Sequence, residues 1–422
     1  MLDSYIIKGG KPLHGNVTIS GSKNAALGII AASLLLDGPC RIENIPRVAD
    51  TAIQLEICES IGAHVVQESI GTVTIDPRSV DQIIVSSEKV RSIRASYYLL
   101  GALLGRYGKC SIFMPGGCDL GTRPIDQHIK GFEALGATVT IEHGMIHLSS
   151  KKLHGEHVFF DQVSVGATIN IMIAAAKIEG TTVIENAAKE PHIVDVANFL
   201  NTMGANVRGA GTDVIRIVGT PVLRGGGTYS IIPDQIEAGT YMIASVMTRG
   251  DVTVKNIIPH HMEPLSIKLE EMGVKIEAGD DWLRVWMEEG THLNGAHFKT
   301  MPYPGFPTDL QPQTTVLLST AIGNSRMHEN VFDTRFQYVE DLKTMGARIT
   351  VADRFAIIDG PADLSGARVR AHDLRAGAAM VLAGLSARGE TRIDDIHIIE
   401  RGYEDFIMKM RALGADIKQA DK

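Results

Sequence analysis

The sequence predicts an α/β protein of two domains, each built from three copies of one α/β repeat. A nearly apolar helical run recurs along the chain, and the glycine run 225–227, midway through the 422 residues, offers the flexibility that a crossing between domains needs. A Gly-small doublet also recurs six times at intervals of 68 to 74 residues, which indicates internal repeats: Ile61-Gly62-Ala63, Leu135-Gly136-Ala137, Met203-Gly204-Ala205, Met272-Gly273-Val274, Met345-Gly346-Ala347 and Leu413-Gly414-Ala415.

Each repeat is interpreted as an apolar helix, a β segment, an amphipathic helix and a hairpin. A β segment such as 180–186 or 250–256 follows the apolar helix, and strands such as 347–351 and 355–358 follow the glycine doublet. A helix that is apolar on all sides must be buried all round, so three of them are expected inside a prism of sheets and outer helices. The apolar helices are predicted at 25–36, 97–104, 169–176, 241–246, 315–321 and 378–385.

Six repeats give two domains of three. The first predicted domain is 21–229, and the second combines 1–20 with 230–422, because the strand 4–8 precedes the first apolar helix and can complete a sheet of the C-terminal repeats. We expect the active site in the cleft between the two domains. The alternative is a repeat solenoid that serves as a binding scaffold.

Composition excludes several classes of protein. A net charge of −8 and an aromatic content of 5% argue against a broad nucleic-acid or membrane-binding surface, so any basic site is local. The longest nearly apolar run, 25–36, is too short to cross a bilayer, and no basic leader opens the chain, so we expect a cytosolic protein. Four cysteines without metal-ligand spacing predict neither a zinc site nor a disulfide framework, and burial is expected for Cys40, Cys58 and Cys110.

Cations occur at the starts of three apolar helices, as Lys23, Arg94 and Arg375. Ser, Thr and Asp at such positions are explained as caps for first-turn N–H groups. A cation there opposes the helix dipole by about 0.3 to 1 kcal/mol, so something anionic should compensate it. Helix starts together with Lys and Arg side chains favour an anion-binding site.

The segment 115–126 is the second unusual feature. Three glycines surround Cys118, and Arg123 follows five residues later. A nearby cation favours the thiolate and brings the pKa of a cysteine closer to neutrality, which suits a proton donor or a nucleophile. The alternative is an ordinary loop cysteine.

These motifs, in this order, resemble the UDP-N-acetylglucosamine 1-carboxyvinyltransferases, enolpyruvyl transferases that begin bacterial peptidoglycan synthesis. The resemblance implies a two-domain inside-out α/β barrel. It also implies transfer of the enolpyruvyl group of phosphoenolpyruvate to the 3-hydroxyl of UDP-N-acetylglucosamine, with release of phosphate. It covers essentially the whole chain and rests on Gly21-Ser22-Lys23-Asn24-Ala25-Ala26, Pro115-Gly116-Gly117-Cys118, Glu185-Asn186-Ala187-Ala188, Phe306-Pro307-Thr308-Asp309 and Arg401-Gly402-Tyr403-Glu404.

The resemblance further implies the site residues. Cys118 is the implied proton donor to C3 of phosphoenolpyruvate, and Asp309 is the implied base at the sugar hydroxyl; Lys23 and Arg401 join them as catalytic cations. The residues implied around phosphoenolpyruvate are Lys23, Asn24, Arg94, Arg123, Arg375 and Arg401. Those implied to contact the nucleotide sugar are Arg123, Pro124, Ile125, Asp126, Gln127, Gln162, Val163, Ser164, Val165 and Val331, with Asp309 at its hydroxyl.

The implied chemistry needs one acid and one base. Addition of an alcohol to C2 of an enol phosphate puts a proton on C3 while the hydroxyl loses one, and phosphate then leaves the tetrahedral intermediate. We therefore expect no metal and no cofactor. The expected partners are the two small-molecule substrates, with no nucleic acid and no membrane.

Three positions depart from the pattern of the family. Gln162 stands where relatives can carry a basic residue, Gln127 where an apolar one is common, and Gln235 where an arginine can occur. A neutral amide still hydrogen-bonds a phosphate or uracil, so the expected substrate class is unchanged. Two alternatives remain: 5-enolpyruvylshikimate 3-phosphate synthase, which shares the fold but lacks the Pro-Gly-Gly-Cys loop, and an inactive paralogue that binds a UDP-sugar.

Overall fold

The computed structural model describes residues 2–116 and 124–421. These residues divide into two compact units. The N-terminal unit comprises residues 21–116 and 124–232, and the C-terminal unit comprises residues 2–20 and 233–421. Each unit has its own hydrophobic core, in which aliphatic side chains outnumber aromatic ones.

Within the described ranges, twelve α-helices alternate along the chain between inner and outer positions. The inner helices are α1 (Lys23–Ser33), α3 (Tyr98–Tyr107), α5 (Val165–Ala175), α7 (Gln235–Met247), α9 (Gln311–Ser319) and α11 (Leu374–Ser386). The outer helices are α2 (Ala49–Ser60), α4 (Asp126–Ala134), α6 (Pro191–Thr202), α8 (Glu263–Glu271), α10 (Val339–Thr344) and α12 (Phe406–Ala412). The inner helices are buried along most of their length, as their apolar sequences predict.

The described strands form six sheets of four strands each. In spatial order, the sheets of the N-terminal unit are β14 (Thr228–Ser230), β3 (Cys40–Glu43), β5 (Thr72–Asp76), β4 (His64–Ser69); β6 (Ile84–Val85), β7 (Lys109–Phe113), β9 (Met145–Ser149), β8 (Thr138–Glu142); and β10 (His157–Phe159), β11 (Thr181–Glu185), β13 (Val214–Val218), β12 (Asn206–Arg208). Those of the C-terminal unit are β2 (His14–Thr18), β15 (Asp251–Lys255), β17 (Trp282–Trp286), β16 (Lys275–Ala278); β18 (His297–Lys299), β19 (Gly323–His328), β21 (Phe355–Gly360), β20 (Arg348–Ala352); and β22 (Arg368–Arg370), β23 (Glu390–Asp394), β1 (Leu2–Lys8), β24 (Asp416–Asp421).

Every sheet has the same pairing pattern, in which the first two strands run parallel and the remaining pairs are antiparallel. Strands distant in sequence complete three of the sheets. β1 lies between β23 and β24, β2 runs parallel to β15, and β14 runs parallel to β3. The glycine run 225–227 therefore leads into an edge strand of the N-terminal unit, and the two units divide after residue 232.

The glycine doublets end the outer helices. All six doublet glycines have a positive φ, between 88° and 104°, which glycine adopts without a steric penalty. After each glycine, the next N–H donates to the carbonyl five residues earlier, as in Ala63 to Cys58 at 3.1 Å and Ala415 to Met410 at 3.0 Å. This is the Schellman arrangement, which satisfies carbonyls at a helix C-terminus. The repeat in the sequence is thus a repeated helix stop.

Hydrophobic patterning locates the inner helices but misses their polar first turns. α7 begins at Gln235, six residues before the apolar run 241–246, because the Asp234 carboxylate accepts from the N–H groups of Ile236 and Glu237. α11 begins likewise after Asp373, whose carboxylate caps Arg375 and Ala376. Among the described residues, no helix is long and apolar enough to cross a membrane.

Candidate active site

Lys23 begins α1 and is held by a carboxylate of the N-terminal unit. Ser22 caps the helix through the N–H of Ala25, and the Lys23 side chain is only 11% exposed. Its Nζ lies 3.1 Å from Oδ2 of Asp50, which stands in the first turn of α2, where a negative charge is favoured. The anionic compensation expected for Lys23 is therefore supplied in part by the chain itself. Asn24 follows it, half-buried.

Arg94 lies in a short 3₁₀ turn, Arg94–Tyr97, that leads into α3, and its guanidinium is 5.2 Å from the centre of the Tyr97 ring. The Asn170 side chain of α5 stabilises this turn. Its oxygen accepts from the N–H of Gly101 at 2.9 Å, and its nitrogen donates to the carbonyl of Tyr97 at 2.9 Å. The side chain thereby bridges a backbone donor and a backbone acceptor on α3 and the preceding turn.

The same amide nitrogen of Asn170 donates to Nδ1 of His128 at 2.9 Å. Because the two backbone contacts fix the orientation of the amide, Nδ1 of His128 must be the acceptor and Nε2 carries the proton. Burial, together with the charge of Arg94, lowers the pKa of His128 to about 3. The imidazole is therefore neutral at physiological pH, and Arg94 is the cation at this place.

The two segments predicted to hold the nucleotide meet in the N-terminal unit. Gln127 is buried, and its oxygen accepts from the N–H of Asp161 at 3.0 Å, while its nitrogen donates to Asp126 at 2.8 Å. Pro124 and Asp126 are exposed beside the buried Ile125. Gln127 thus has a structural role that accounts for an amide where an apolar residue was expected.

The second of these segments leads into α5. Gln162 and Val163 are exposed, and the Ser164 hydroxyl caps the helix by accepting from Ala167 at 3.3 Å. Val165 is the first residue of the helix. Exposed polar groups beside a capped helix start leave this segment accessible to a ligand.

Asp309 in the C-terminal unit lies between two guanidinium groups. Its Oδ2 accepts from Nε and Nη2 of Arg375 at 3.3 and 3.2 Å, and its Oδ1 accepts from Nη2 of Arg335 at 3.4 Å. Both arginine side chains are almost completely buried, whereas the Asp309 side chain is 29% exposed. The carboxylate is therefore oriented from behind by two cations and presents a partly open face.

Tyr403 connects this cluster to Arg401. The Arg375 guanidinium lies 5.3 Å from the Tyr403 ring, and the Tyr403 hydroxyl contacts Thr240 at 3.0 Å and Gln313 at 3.1 Å. Tyr403 thus contacts all three inner helices of the unit, and it stands two residues after Arg401, which ends a 3₁₀ turn. The structure therefore brings Asp309, Arg375 and the Arg401 segment into one neighbourhood.

Arg375 remains charged in this buried position. Burial alone would lower the pKa of its guanidinium, but the Tyr403 oxygen and the carboxylates of Asp309 and Asp234 outweigh burial and raise the pKa above the ordinary arginine value. The neighbouring Tyr403 stays neutral, since burial raises the pKa of its hydroxyl. Its expected anionic compensation again comes from the chain, here from Asp309.

Three cysteines are confirmed as buried. Burial, with a nearby carboxylate as the second cause, raises the pKa of Cys40 and of Cys58 to about 12, and burial raises that of Cys110 further. Thiols of this kind are poor nucleophiles at neutral pH. Cys118 and Arg123 lie outside the described residues, so their predicted roles stay predictions.

Comparison with known proteins identifies the family. The family model for EPSP synthase (3-phosphoshikimate 1-carboxyvinyltransferase) matches residues 7–410. UDP-N-acetylglucosamine 1-carboxyvinyltransferase 3 of Caldanaerobacter subterraneus is 54% identical over 416 residues, which cover 99% of each chain. The UDP-N-acetylglucosamine 1-carboxyvinyltransferase of Clostridium botulinum is 53% identical, covering 97% of this chain and 98% of its own. The chain belongs to the UDP-N-acetylglucosamine 1-carboxyvinyltransferase family.

Solved structures agree with this family and with the predicted fold class. The enolpyruvyl transferase NikO from Streptomyces tendae superposes over the full length of both chains with a TM-score of 0.89 at 27% identity. An EPSP synthase from Acinetobacter baumannii covers 99% of this chain and all of its own with a TM-score of 0.78 at 20% identity, which supports the fold alone. The predicted two-domain α/β fold of the enolpyruvyl transferases is confirmed.

Sequence analysis missed several residues that shape the site of this UDP-N-acetylglucosamine 1-carboxyvinyltransferase family member. Asp50, Arg335, Glu329 and Tyr403 all contact or orient the predicted site residues, yet none stands at the start of an inner helix. Arg335 lies in the connection after β19, four residues beyond Val331, which was itself assigned to the nucleotide sugar. The position of an arginine close to that contact is the one signal that pointed to it.

Proposed function

We propose that this chain transfers the enolpyruvyl group of phosphoenolpyruvate to the 3-hydroxyl of UDP-N-acetylglucosamine and releases phosphate. The observation that carries the proposal is the Asp309 carboxylate held by Arg335 and Arg375, in a chain with more than 50% identity to curated relatives of that name over nearly its full length. An oriented carboxylate with a partly open face suits a general base, because it can accept the proton of a hydroxyl group.

In the addition step, the sugar 3-hydroxyl oxygen forms a bond to C2 of phosphoenolpyruvate. Asp309 accepts the hydroxyl proton, and C3 receives a proton from an acid, for which we propose Cys118. The C2–C3 double bond becomes a single bond, which gives a tetrahedral carbon that carries the phosphate, the carboxylate and the new ether oxygen. The proton that reaches C3 and the one that leaves the hydroxyl balance in charge.

In the elimination step, C3 gives up a proton and the C2–O bond to phosphate breaks. The double bond re-forms, and the products are inorganic phosphate and the enolpyruvyl ether of the nucleotide sugar. Phosphoenolpyruvate and phosphate are both multiply charged, so cations that stay in place lower the barrier as charge moves. We propose that Lys23, Arg94, Arg123 and Arg401 fill this role, with Asn24 as a hydrogen-bonding partner.

The nucleotide sugar is proposed to bind along 124–127 and 162–165. Exposed Asp126 and Gln162 offer polar groups to uracil and diphosphate, and the capped N-terminus of α5 favours a negative charge. Val331, 41% exposed, is proposed as an apolar contact for the sugar. The reaction would form the first committed step of peptidoglycan synthesis in the cytosol.

Phosphate release, assayed with the purified chain, tests the proposal. With phosphoenolpyruvate and UDP-N-acetylglucosamine together we expect stoichiometric phosphate and a product heavier than the nucleotide sugar by one enolpyruvyl group in mass spectrometry. Each substrate alone should release none. Turnover with shikimate 3-phosphate instead of the nucleotide sugar would overturn the proposal in favour of EPSP synthase activity, and binding without turnover would indicate an inactive paralogue.

A further inference from the structure

Glu329 is a completely buried carboxylate directly after β19 that no part of the proposed chemistry uses. Its Oε1 accepts from the Thr300 hydroxyl at 3.0 Å and from the N–H groups of Val331 and Phe332 at 2.7 and 3.0 Å. Its Oε2 accepts from the Thr308 hydroxyl at 2.9 Å. Four donors at these distances satisfy the carboxylate inside the fold.

The donors belong to two segments that meet again at Asp309. Thr308 immediately precedes Asp309 in the 3₁₀ turn Thr308–Leu310. Phe332 lies in the connection that leads to Arg335, whose guanidinium is 5.3 Å from the Phe332 ring and 3.4 Å from the Asp309 carboxylate. Glu329 thus fixes the backbone on both sides of the Asp309–Arg335 ion pair.

We propose that Glu329 is a positioning residue for the general base: it ties the Asp309 turn to the Arg335 segment and thereby sets where the Asp309 carboxylate points. The proposal rests on the role given to Asp309 in the proposed function. Through the N–H of Val331, Glu329 also fixes the residue assigned to the sugar, so base and substrate contact share one anchor.

Two threonines separate this role from ordinary stabilisation. Thr308 links Glu329 to the Asp309 turn alone. Thr300 links Glu329 to β18, and its hydroxyl additionally accepts from the N–H of Asn330 at 2.7 Å. Thr300→Val therefore removes two hydrogen bonds at a fully buried site and Thr308→Val removes one at a half-buried site. If the network served stability only, Thr300→Val would be the more harmful variant in every measurement.

Kinetics of the two variants give the first test. We expect Thr308→Val to lower kcat at least tenfold with a KM for UDP-N-acetylglucosamine within about threefold of wild type, since a 1 Å misplacement of a catalytic group costs on the order of 10² in rate. Thr308→Ser keeps the hydroxyl and should restore most of kcat. Thr300→Val should lower the melting temperature more but reduce kcat less. The opposite order in kcat, or no rescue by serine, would overturn the proposal.

Hydrogen exchange gives a second test that needs no turnover. The N–H of Leu310 donates to Pro307 at 3.0 Å within the Asp309 turn, and those of Val331 and Phe332 donate to Glu329. Thr308→Val should speed exchange at Leu310 about tenfold and leave Val331 and Phe332 protected; unchanged exchange at Leu310 would contradict the tie. If wild type lacks the transferase activity, the proposed function fails, but this measurement still decides whether Glu329 holds the turn.

Discussion

The guanidinium of Arg375 binds one carboxylate oxygen of Asp309 through two nitrogens, at 3.3 and 3.2 Å. Arg375 stands in the first turn of α11, and Asp309 stands in the 3₁₀ turn before α9. The contact therefore joins the starts of two inner helices, and it gives Asp309 a structural as well as a proposed chemical role.

Replacement of Asp309 by asparagine should separate these two roles. The amide cannot accept the sugar proton, so kcat should fall by about 10² to 10⁴, the usual worth of a general base. The affinity for UDP-N-acetylglucosamine, measured by calorimetry, should fall much less because the amide still hydrogen-bonds the hydroxyl. Near-normal turnover in Asp309→Asn would return Asp309 to a purely structural role.

The ion pair also changes the stability expected of that variant. A helix cap alone would cost on the order of 1 kcal/mol or less on this substitution. Removal of the charge facing two buried guanidinium groups costs more, because an uncompensated buried cation is worth about 3 to 5 kcal/mol and the amide recovers part of it. We therefore expect Asp309→Asn to be folded but measurably less stable than wild type in urea.

The fold could be predicted because the repeated signals are local. A glycine at φ near 100° after an amphipathic helix, as at Gly62 or Gly414, leaves the same trace wherever it occurs. Edge strands are harder to predict. β6 has two residues and β14 three, too short for a periodic pattern, and their partners lie far along the chain in the case of β14 and β3.

The site could be predicted only as far as helix starts and the family resemblance reach. Lys23 and Arg375 stand out because cations at a helix N-terminus are unfavourable. Their carboxylate partners do not stand out, because Asp50 resembles any acid in a first turn and Asp309 any acid before a helix. Pairings that depend on which helices are neighbours in space, such as Asp309 with Arg335, need coordinates.

Lys23 and Asp50 can be tested as a buried pair by a double-mutant cycle. Lys23→Met leaves Asp50 as a buried carboxylate without its ammonium partner, which should cost stability on the order of 3 kcal/mol, and removes a cation proposed to bind phosphoenolpyruvate. Adding Asp50→Asn to Lys23→Met should recover most of the melting temperature but none of the turnover. If turnover returned together with stability, Lys23 would have no role beyond the ion pair.

Cysteine labelling tests the predicted reactivity of Cys118. With an alkylating reagent, or with an epoxide-phosphonate such as fosfomycin, peptide mapping of the native protein should find the adduct on Cys118, because burial raises the pKa of Cys40 and Cys58 to about 12 and that of Cys110 still further. Labelling mainly at these three thiols would contradict the prediction.

Substitutions of Cys118 test its proposed role as the acid. Cys118→Asp keeps an acidic proton of lower pKa, so we expect residual turnover with an optimum at lower pH, together with resistance to the epoxide. Cys118→Ser moves the proton far above the working pH and should be nearly inactive. A serine variant with substantial turnover would show that the proton comes from another group.

Asp195 of α6 makes the stability of the N-terminal unit depend on pH. Its carboxylate is buried and accepts from the Tyr229 hydroxyl at 2.5 Å and from the N–H of Ile232 at 3.2 Å, and burial raises its pKa to about 6. Because the folded pKa lies above the unfolded value, the folded state binds more protons between the two, so this contribution to stability is full at low pH and is lost as pH rises through about 6. Between pH 4.5 and 7.5 wild type should lose about 2 kcal/mol relative to Asp195→Asn, which does not titrate, as measured by urea unfolding at both pH values. Tyr229→Phe removes a hydrogen bond to the ionised carboxylate and should extend the loss to higher pH. A pH-independent difference between wild type and Asp195→Asn would show that Asp195 is already ionised at pH 4.5.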